Sequence, residues 1–328
     1  MRPGPRNLIT DVAGIRVGNS EDHDIRSGVT VILPDDPVTA AVDVRGGAPG
    51  TRETNALDPT CLVDAIHAIV LSGGSAFGLD AASAATDWLR QRGRGFRVGE
   101  AVIPIVPAAI LFDLTNGGDK DWGDSQPYRR LAGQALDGAG EEFSLGNFGA
   151  GLGATAGPIK GGLGSASVID DDGLCVGAVV AVNPVGSVTL PGSPVFWAWP
   201  FEQNGEFGGL GCAGAPEQID MDYSFKIPAG SNTTLAVVAT DMTLSKVQAG
   251  RVAIMAHDGF ARAIRPVHTP LDGDTVFVIS TGKRPLGDPV ADVARVGMLA
   301  ADVVARAIAR GVYEADSIGD IKSYRSLY

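Results

Sequence analysis

The stretch from Leu235 to Ala309 constrains the fold most. Leu235 to Thr240 (LAVVAT) is an apolar β-type run, and Thr275 to Ser280 (TVFVIS) is another. Between them, Thr243 to Ile264 carries Val252, Met255, Phe260 and Ile264 in a helical pattern. After them, Asp292 to Ala309 places Val293, Val296, Ala300, Val303 and Ala307 on one stripe. Period-two and period-3.6 patterns alternating in this way give a β-α-β-α unit. The expected class is α/β or α+β, with sheets covered by helices.

Upstream, Val29 to Leu33 and Ala40 to Val44 read as strands, the second ended by the turn residues Arg45-Gly46-Gly47-Ala48-Pro49-Gly50. Ala68 to Leu71 is another buried-strand candidate, followed by Ser72-Gly73-Gly74-Ser75-Ala76-Phe77-Gly78 and a helix from Leu79 to Arg90. Ala166 to Ile169 and Val176 to Val182 form a hairpin pair around Asp170-Asp171-Asp172-Gly173. Residues 190 to 231 are irregular and rich in Gly, Pro and aromatics. A connection that long inside a regular chain is usually functional or disordered. No repeat of 20–50 residues, the length typical of solenoids, is present.

The 328 residues suffice for one large domain or two ordinary ones. Forty-five glycines, about twice the usual share, call for many tight turns and close backbone approaches. A formal net charge of −12 repels nucleic acid and anionic membranes, so neither is expected as a partner. Cys61, Cys175 and Cys212 are widely spaced, which suits a reducing compartment better than a disulfide framework. The first residues have no apolar stretch long enough for a signal peptide, and no run reaches transmembrane length. The expectation is a cytoplasmic protein.

Several motifs fall short of known chemistry. Gly73 to Gly78 nearly matches the nucleophile elbow G-x-S-x-G, but Phe77 breaks it, and it lacks the Lys-Ser/Thr of a P-loop. A strand-to-helix turn is the better reading. His23, His67, His257 and His268 show no metal-ligand spacing, and Asp272-Gly273-Asp274 is followed by Val276 and Val278 where a calcium loop needs ligands. Neither a metal nor a cofactor is expected.

The corner Asn232-Thr233-Thr234 is different, because it sits directly at the mouth of the strand from Leu235. It fits N-x-[ST], yet a glycan is out of place in a chain that shows no secretion signal. It could simply start a strand. It could also present a hydroxyl for chemistry. A threonine hydroxyl needs a base beside it, and chain cleavage can supply one in the threonine's own α-amine. That amine has a pKa of about 7.7–8.0, and a nearby ammonium such as Lys160 would lower it further.

Motifs in family order along nearly the whole chain decide between these readings. They are ITDVAGIRVG, AVDVRGGAPGTRET, LSGGSAFGLDAA, VIPIVPAAILFDL, AVNPVG, SNTTLAVVATD and HTPLDGDTVFV. Together they resemble the L-aminopeptidase/D-esterase family, which includes β-peptidyl aminopeptidases and the nylon-oligomer (6-aminohexanoate) hydrolase. The resemblance implies a four-layer α/β/β/α fold of the N-terminal nucleophile hydrolase type, related to that of the ornithine acetyltransferases. It also implies one hydrolase domain over 1–328 that cleaves itself into 1–232 and 233–328. Homo-oligomers, tetramers among them, are expected on the same ground.

Carried over, the resemblance makes Thr233 the nucleophile and Asn232–Thr233 the scissile bond. Asn183 becomes an oxyanion donor and Lys160 a site lysine. Asp272 and Asp274 become the acidic pair that orients the nucleophile, although a β-turn alone would also explain Asp272-Gly273-Asp274. Relatives often carry tyrosine where this chain has Phe112, so a weak substrate-binding position there lacks its hydroxyl. The implied activity is hydrolysis of amide bonds in short peptides or ω-amino-acid oligomers through an acyl-enzyme. The rivals are an acyltransferase, which an acyl-acceptor competition assay would separate, and a binding homologue that never cleaves.

Overall fold

The computed structural model describes residues 1–212 and 232–328. In chain order come β1 (Ile15–Asp22), β2 (Ser27–Pro34), β3 (Thr39–Val44), β4 (Thr51–Arg52) and β5 (Ile69–Ser72). They are followed by α1 (Ala81–Gln91), β6 (Phe96–Val98), β7 (Ala101–Ile103), β8 (Ala108–Ile110) and α2 (Tyr128–Asp137). Next are β9 (Thr155–Ala156), β10 (Ile159–Lys160), β11 (Gly162–Ile169) and β12 (Cys175–Val182). The last stretch holds β13 (Leu235–Met242), α3 (Lys246–Ala263), β14 (Thr275–Arg284), α4 (Ala291–Tyr313) and α5 (Tyr324–Leu327).

Two five-stranded sheets stack, one ordered β1-β2-β5-β8-β4 and the other β11-β12-β13-β14-β3. Ile32, Leu71, Val179, Val237 and Phe277 fill the space between them. Val180, Val238 and Val278 point the other way, against Val252 of α3 and Val303 of α4. Val31 and Val70 pack under Leu89 of α1 and Leu131 of α2. The result is the α/β/β/α layering. Because β13 is buried on both faces, it needs apolar side chains at consecutive positions, and its run of Leu, Ala and Val supplies them. Truncating a core residue such as Phe277, with no exposed surface, costs about 3–5 kcal/mol.

The C-terminal β-α-β-α unit is as expected, with shifted ends. The side chain of Ser245 accepts from Gln248 N–H, and Gln248 Oε1 accepts from Ser245 N–H at 2.9 Å, so a capping box starts α3 at Lys246 rather than Thr243. The hairpin of β11 and β12 is antiparallel around Asp170 to Gly173, also as expected, but β11 starts four residues earlier, at Gly162. Glycines 162 and 164 look like loop residues. Here they let α4 approach: a Cβ on Gly164 would lie 1.8 Å from Ala307 O, and one on Gly162 2.2 Å from Gly311 O. Of the irregular stretch 190–231, residues 190–212 hold a short 3₁₀ turn at Trp199–Phe201 and a bridge from Phe196 to Thr189, and 213–231 lie outside the described residues.

The pairing registers place the site. β13 runs antiparallel to β12, with Leu235 opposite Ala181, and parallel to β14, with Leu235 opposite Thr275. The residues just before β13 therefore lie beside those just after β12 and just before β14. No helix among the described residues is long and apolar enough to cross a membrane.

Candidate active site

Thr233 is buried at this junction, 3% exposed. Its N–H donates to the main-chain oxygen of Asn183 at 2.7 Å. Its hydroxyl accepts from Gly273 N–H at 3.1 Å and donates to the carbonyl oxygen of Asn232. Asn232 is held in turn by its side-chain amide, which donates to Pro184 O at 2.9 Å. The hydroxyl thus rests against the peptide group that precedes it. Gly273 has to be glycine: a Cβ there would lie 2.6 Å from Thr233 Oγ and 2.8 Å from Ala48 O.

Asn183 opens the Asn183-Pro184-Val185-Gly186 turn after β12 and is 1% exposed. Its Oδ1 accepts from Thr155 N–H at 2.8 Å, and its Nδ2 donates to Phe112 O at 3.1 Å. The amide is therefore fixed in direction and has one N–H left for another acceptor. Phe112 meets the site through its carbonyl.

Thr155 pairs with Lys160 in the small β9–β10 ladder. Lys160 is fully buried, and its Nζ donates to Gly151 O at 2.8 Å and to Ala154 O and Gly161 O at 3.0 Å each. Three acceptors match the three protons of an ammonium. Burial pushes this lysine down to about 7, against the opposing pull of the Asp113 charge. None of its donors goes to Thr233; Lys160 meets the site through Thr155, its partner in the ladder, whose N–H donates to Asn183 Oδ1.

The acidic pair holds main chain. Asp272 Oδ1 accepts from Val185 N–H at 3.0 Å, while Oδ2 accepts from Thr269 N–H at 3.0 Å and from its hydroxyl at 2.6 Å. Burial raises the pKa of Asp272, the neighbouring charge of Asp274 raises it further, and these hydrogen bonds pull it back. Asp274 Oδ1 accepts from Thr234 N–H at 2.9 Å. Among the described residues neither carboxylate is hydrogen-bonded to the Thr233 hydroxyl. A β-turn does lie between His268 and the strand at Val276, as the turn reading of this segment expects. Asp272 N–H closes back on Thr269 O at 3.1 Å, so the turn spans residues 269–272 and leaves Gly273 free to lie along Thr233. The Arg45–Ala48 loop clasps this segment from outside, with Arg45 N–H on Asp274 O at 3.0 Å and Ala48 N–H on Asp272 O at 2.8 Å.

Two groups near the site carried no sequence signal of their own. Asp113 is buried behind Phe112. Its carboxylate accepts from Ser27 Oγ at 2.6 Å and from Gly74 N–H at 2.8 Å, and burial raises its pKa. Gly74, at φ 82°, confirms the 73–78 loop as a structural strand-to-helix turn. His268, tested only for metal spacing, donates through Nδ1 to Asp274 Oδ2 at 2.8 Å. Its one pointer was its place in HTPLDGDTVFV.

The profile of Peptidase family S58 matches residues 7–325. The chain belongs to peptidase family S58. An uncharacterized aminopeptidase of Mycobacterium tuberculosis is 42% identical over 98% of both chains. A 6-aminohexanoate-oligomer endohydrolase of Paenarthrobacter ureafaciens is 29% identical, over 85% of this chain and 76% of its own. Among solved structures, a Burkholderia sp. beta-aminopeptidase superposes with a TM-score of 0.72 at 23% identity, covering 98% of this chain and 90% of that one. An L-aminopeptidase D-Ala-esterase/amidase from Ochrobactrum anthropi, described as a variant of the Ntn hydrolase fold, gives 0.74 at 21%, with 99% and 93% covered. The expected family and fold are both met, and this S58 peptidase is an enzyme of the aminopeptidase and amide hydrolase class.

Proposed function

We propose that this S58 peptidase is a self-cleaving threonine hydrolase. One observation carries the proposal: the buried Thr233 hydroxyl is held against the Asn232 carbonyl at the start of a rigid central strand. In processing, Thr233 Oγ attacks the Asn232 carbonyl carbon, the C–N bond breaks, and the acyl group passes to oxygen as an ester. Water then hydrolyses the ester, leaving a carboxylate on Asn232 and a free α-amine on Thr233.

That amine starts from the position of the present N–H, 2.7 Å from Asn183 O, and becomes the base for the adjacent hydroxyl. In turnover Thr233 Oγ attacks the substrate amide, with the remaining Asn183 Nδ2 proton and Gly273 N–H available to the oxyanion. The amine leaves, and water releases the acid. While Lys160 keeps its proton, up to about pH 7, its charge favours the neutral form of the amine by like-charge repulsion. Asp272 and Asp274 hold the nucleophile's neighbours in place.

The substrates proposed are short peptides or ω-amino-acid amides with a free amine. The names of the relatives support this class, and Phe112 offers no hydroxyl to that amine. Rapid quenching of turnover on an activated amino-acid ester, followed by peptide mapping, tests the assignment. The acyl mass is expected on the peptide beginning at Thr233; an acyl group on any other residue refutes it.

A further inference from the structure

Asp274 is gripped from two sides. Its Oδ1 takes the N–H of Thr234, the residue after the proposed nucleophile, at 2.9 Å. Its Oδ2 takes two donors from a single residue, the main-chain N–H of His268 at 3.1 Å and the ring Nδ1 at 2.8 Å. A carboxylate accepts, so Nδ1 is the protonated ring nitrogen here in either charge state of the imidazole.

His268 holds a costly backbone to do this. Its φ is 54°, a left-handed conformation that residues with a β-carbon rarely adopt and that survives where the surroundings enforce it. Its ring is clamped on α3, edge-on to His257 at 4.8 Å between centroids and tilted against Phe260 at 5.8 Å. His257 is itself fixed through Nε2 to Asp43 O at 3.1 Å on β3, and burial pushes it down to about 4, so it stands beside His268 as a neutral ring. Among the described residues, the other charged groups facing this cluster are Asp272 beside Asp274, and Asp43, whose carboxylate pairs with Arg45 at 2.6 Å.

We propose that His268 is a positioning residue of the active site: its two donors hold the Asp274 carboxylate turned so that Oδ1 fixes the main chain at Thr234. The Asp274–Thr234 bond in turn aims Thr233, its chain neighbour. The inference rests on the reading of Thr233 as nucleophile. His268, Asp274, Thr234 and Thr233 all lie within 233–328, so cleavage at Asn232–Thr233 leaves the arrangement whole.

Two substitutions separate the donor from the backbone. Glycine and asparagine both tolerate a positive φ, but only asparagine can place an N–H near the position of Nδ1. His268→Gly is expected to lower kcat of the processed enzyme about ten- to a hundredfold, the worth of a hydrogen bond to a charged group, with KM little changed. His268→Asn should recover most of kcat. Wild-type kcat in His268→Gly overturns the proposal. Equal losses of kcat in both variants also overturn it, since they indicate packing against Phe260. Asp274→Asn, measured alongside, isolates the premise: if it processes and turns over normally, the acidic residue itself has no role, whatever His268 does.

Discussion

Thr233 and Asn183 are joined by main chain alone: the N–H of one donates to the oxygen of the other at 2.7 Å. The Asn183 side chain can therefore be removed without touching the acceptor that holds the nucleophile. Asn183→Ala is predicted to process slowly and to lose about 10²–10³ in kcat, the scale of one oxyanion donor. Steady-state kinetics of the processed variant on a small ester check this. Near-normal turnover would leave Gly273 N–H as the oxyanion donor.

Gly273 gives a steric prediction. A Cβ there would press on both Thr233 Oγ and Ala48 O, so Gly273→Ala must displace the hydroxyl or the Arg45–Ala48 loop. The expected outcome is a destabilisation of about 1–3 kcal/mol and a chain that is processed far more slowly. Urea unfolding and a time course on denaturing gels measure the two effects separately. Normal processing would show that the hydroxyl has room it does not have here.

Asp272 gives a prediction about pH. Burial and the charge of Asp274 raise its pKa in the folded protein above the unfolded value of about 3.9. Between those two values the folded state binds more protons than the unfolded one, so stability is lost as pH rises through the window. Asp272→Asn removes that loss. At neutral pH the variant is expected to be as stable as wild type or more so, while processing slows because one amide hydrogen faces a donor. Thermal melting at pH 4 and pH 7 reads the first effect and fragment appearance the second. A variant that is less stable at pH 7 and wild-type in processing would reverse the assignment.

Lys160 gives the opposite slope. Burial lowers its pKa to about 7, while the unfolded chain keeps the proton to about 10.4. Across that window the unfolded state binds more protons, so the stability of wild type relative to Lys160→Met should rise with pH. Urea midpoints of both proteins at pH 7 and pH 9 test the sign. A difference that is flat or falls with pH would mean that the three carbonyl bonds hold the proton through the whole range.

How much of this was legible depends on what carried the signal. The β13–α3–β14–α4 unit was plain, because strands buried on both faces and a long amphipathic helix write their burial directly into the sequence. β1 and α2 were not picked out. β1 ends in Gly-Asn-Ser-Glu-Asp, and α2 is ten residues long with Gly133 in its middle, so neither gives a strong periodic run. The start of β11 was hidden because its glycines answer to the approach of α4, a tertiary demand. At the site, the resemblance supplied Thr233, Asn183, Lys160, Asp272 and Asp274. It assigned no role to His268 or Asp113: His268 is set by its bonds to Asp274 six residues on, and Asp113 by contacts with the distant Ser27 and Gly74.

The central claim is that Thr233 cuts its own chain, and intact-mass measurement of the purified protein with N-terminal sequencing tests it most directly. Wild type should convert from a single chain of 33.7 kDa into residues 1–232 and 233–328, the second with 328 − 232 = 96 residues beginning Thr-Thr-Leu. Thr233→Ala, which has no oxygen to receive the acyl group, should stay whole under the same incubation. A wild-type chain that never cleaves, or an alanine variant cut at the same bond at the same rate, would contradict the account.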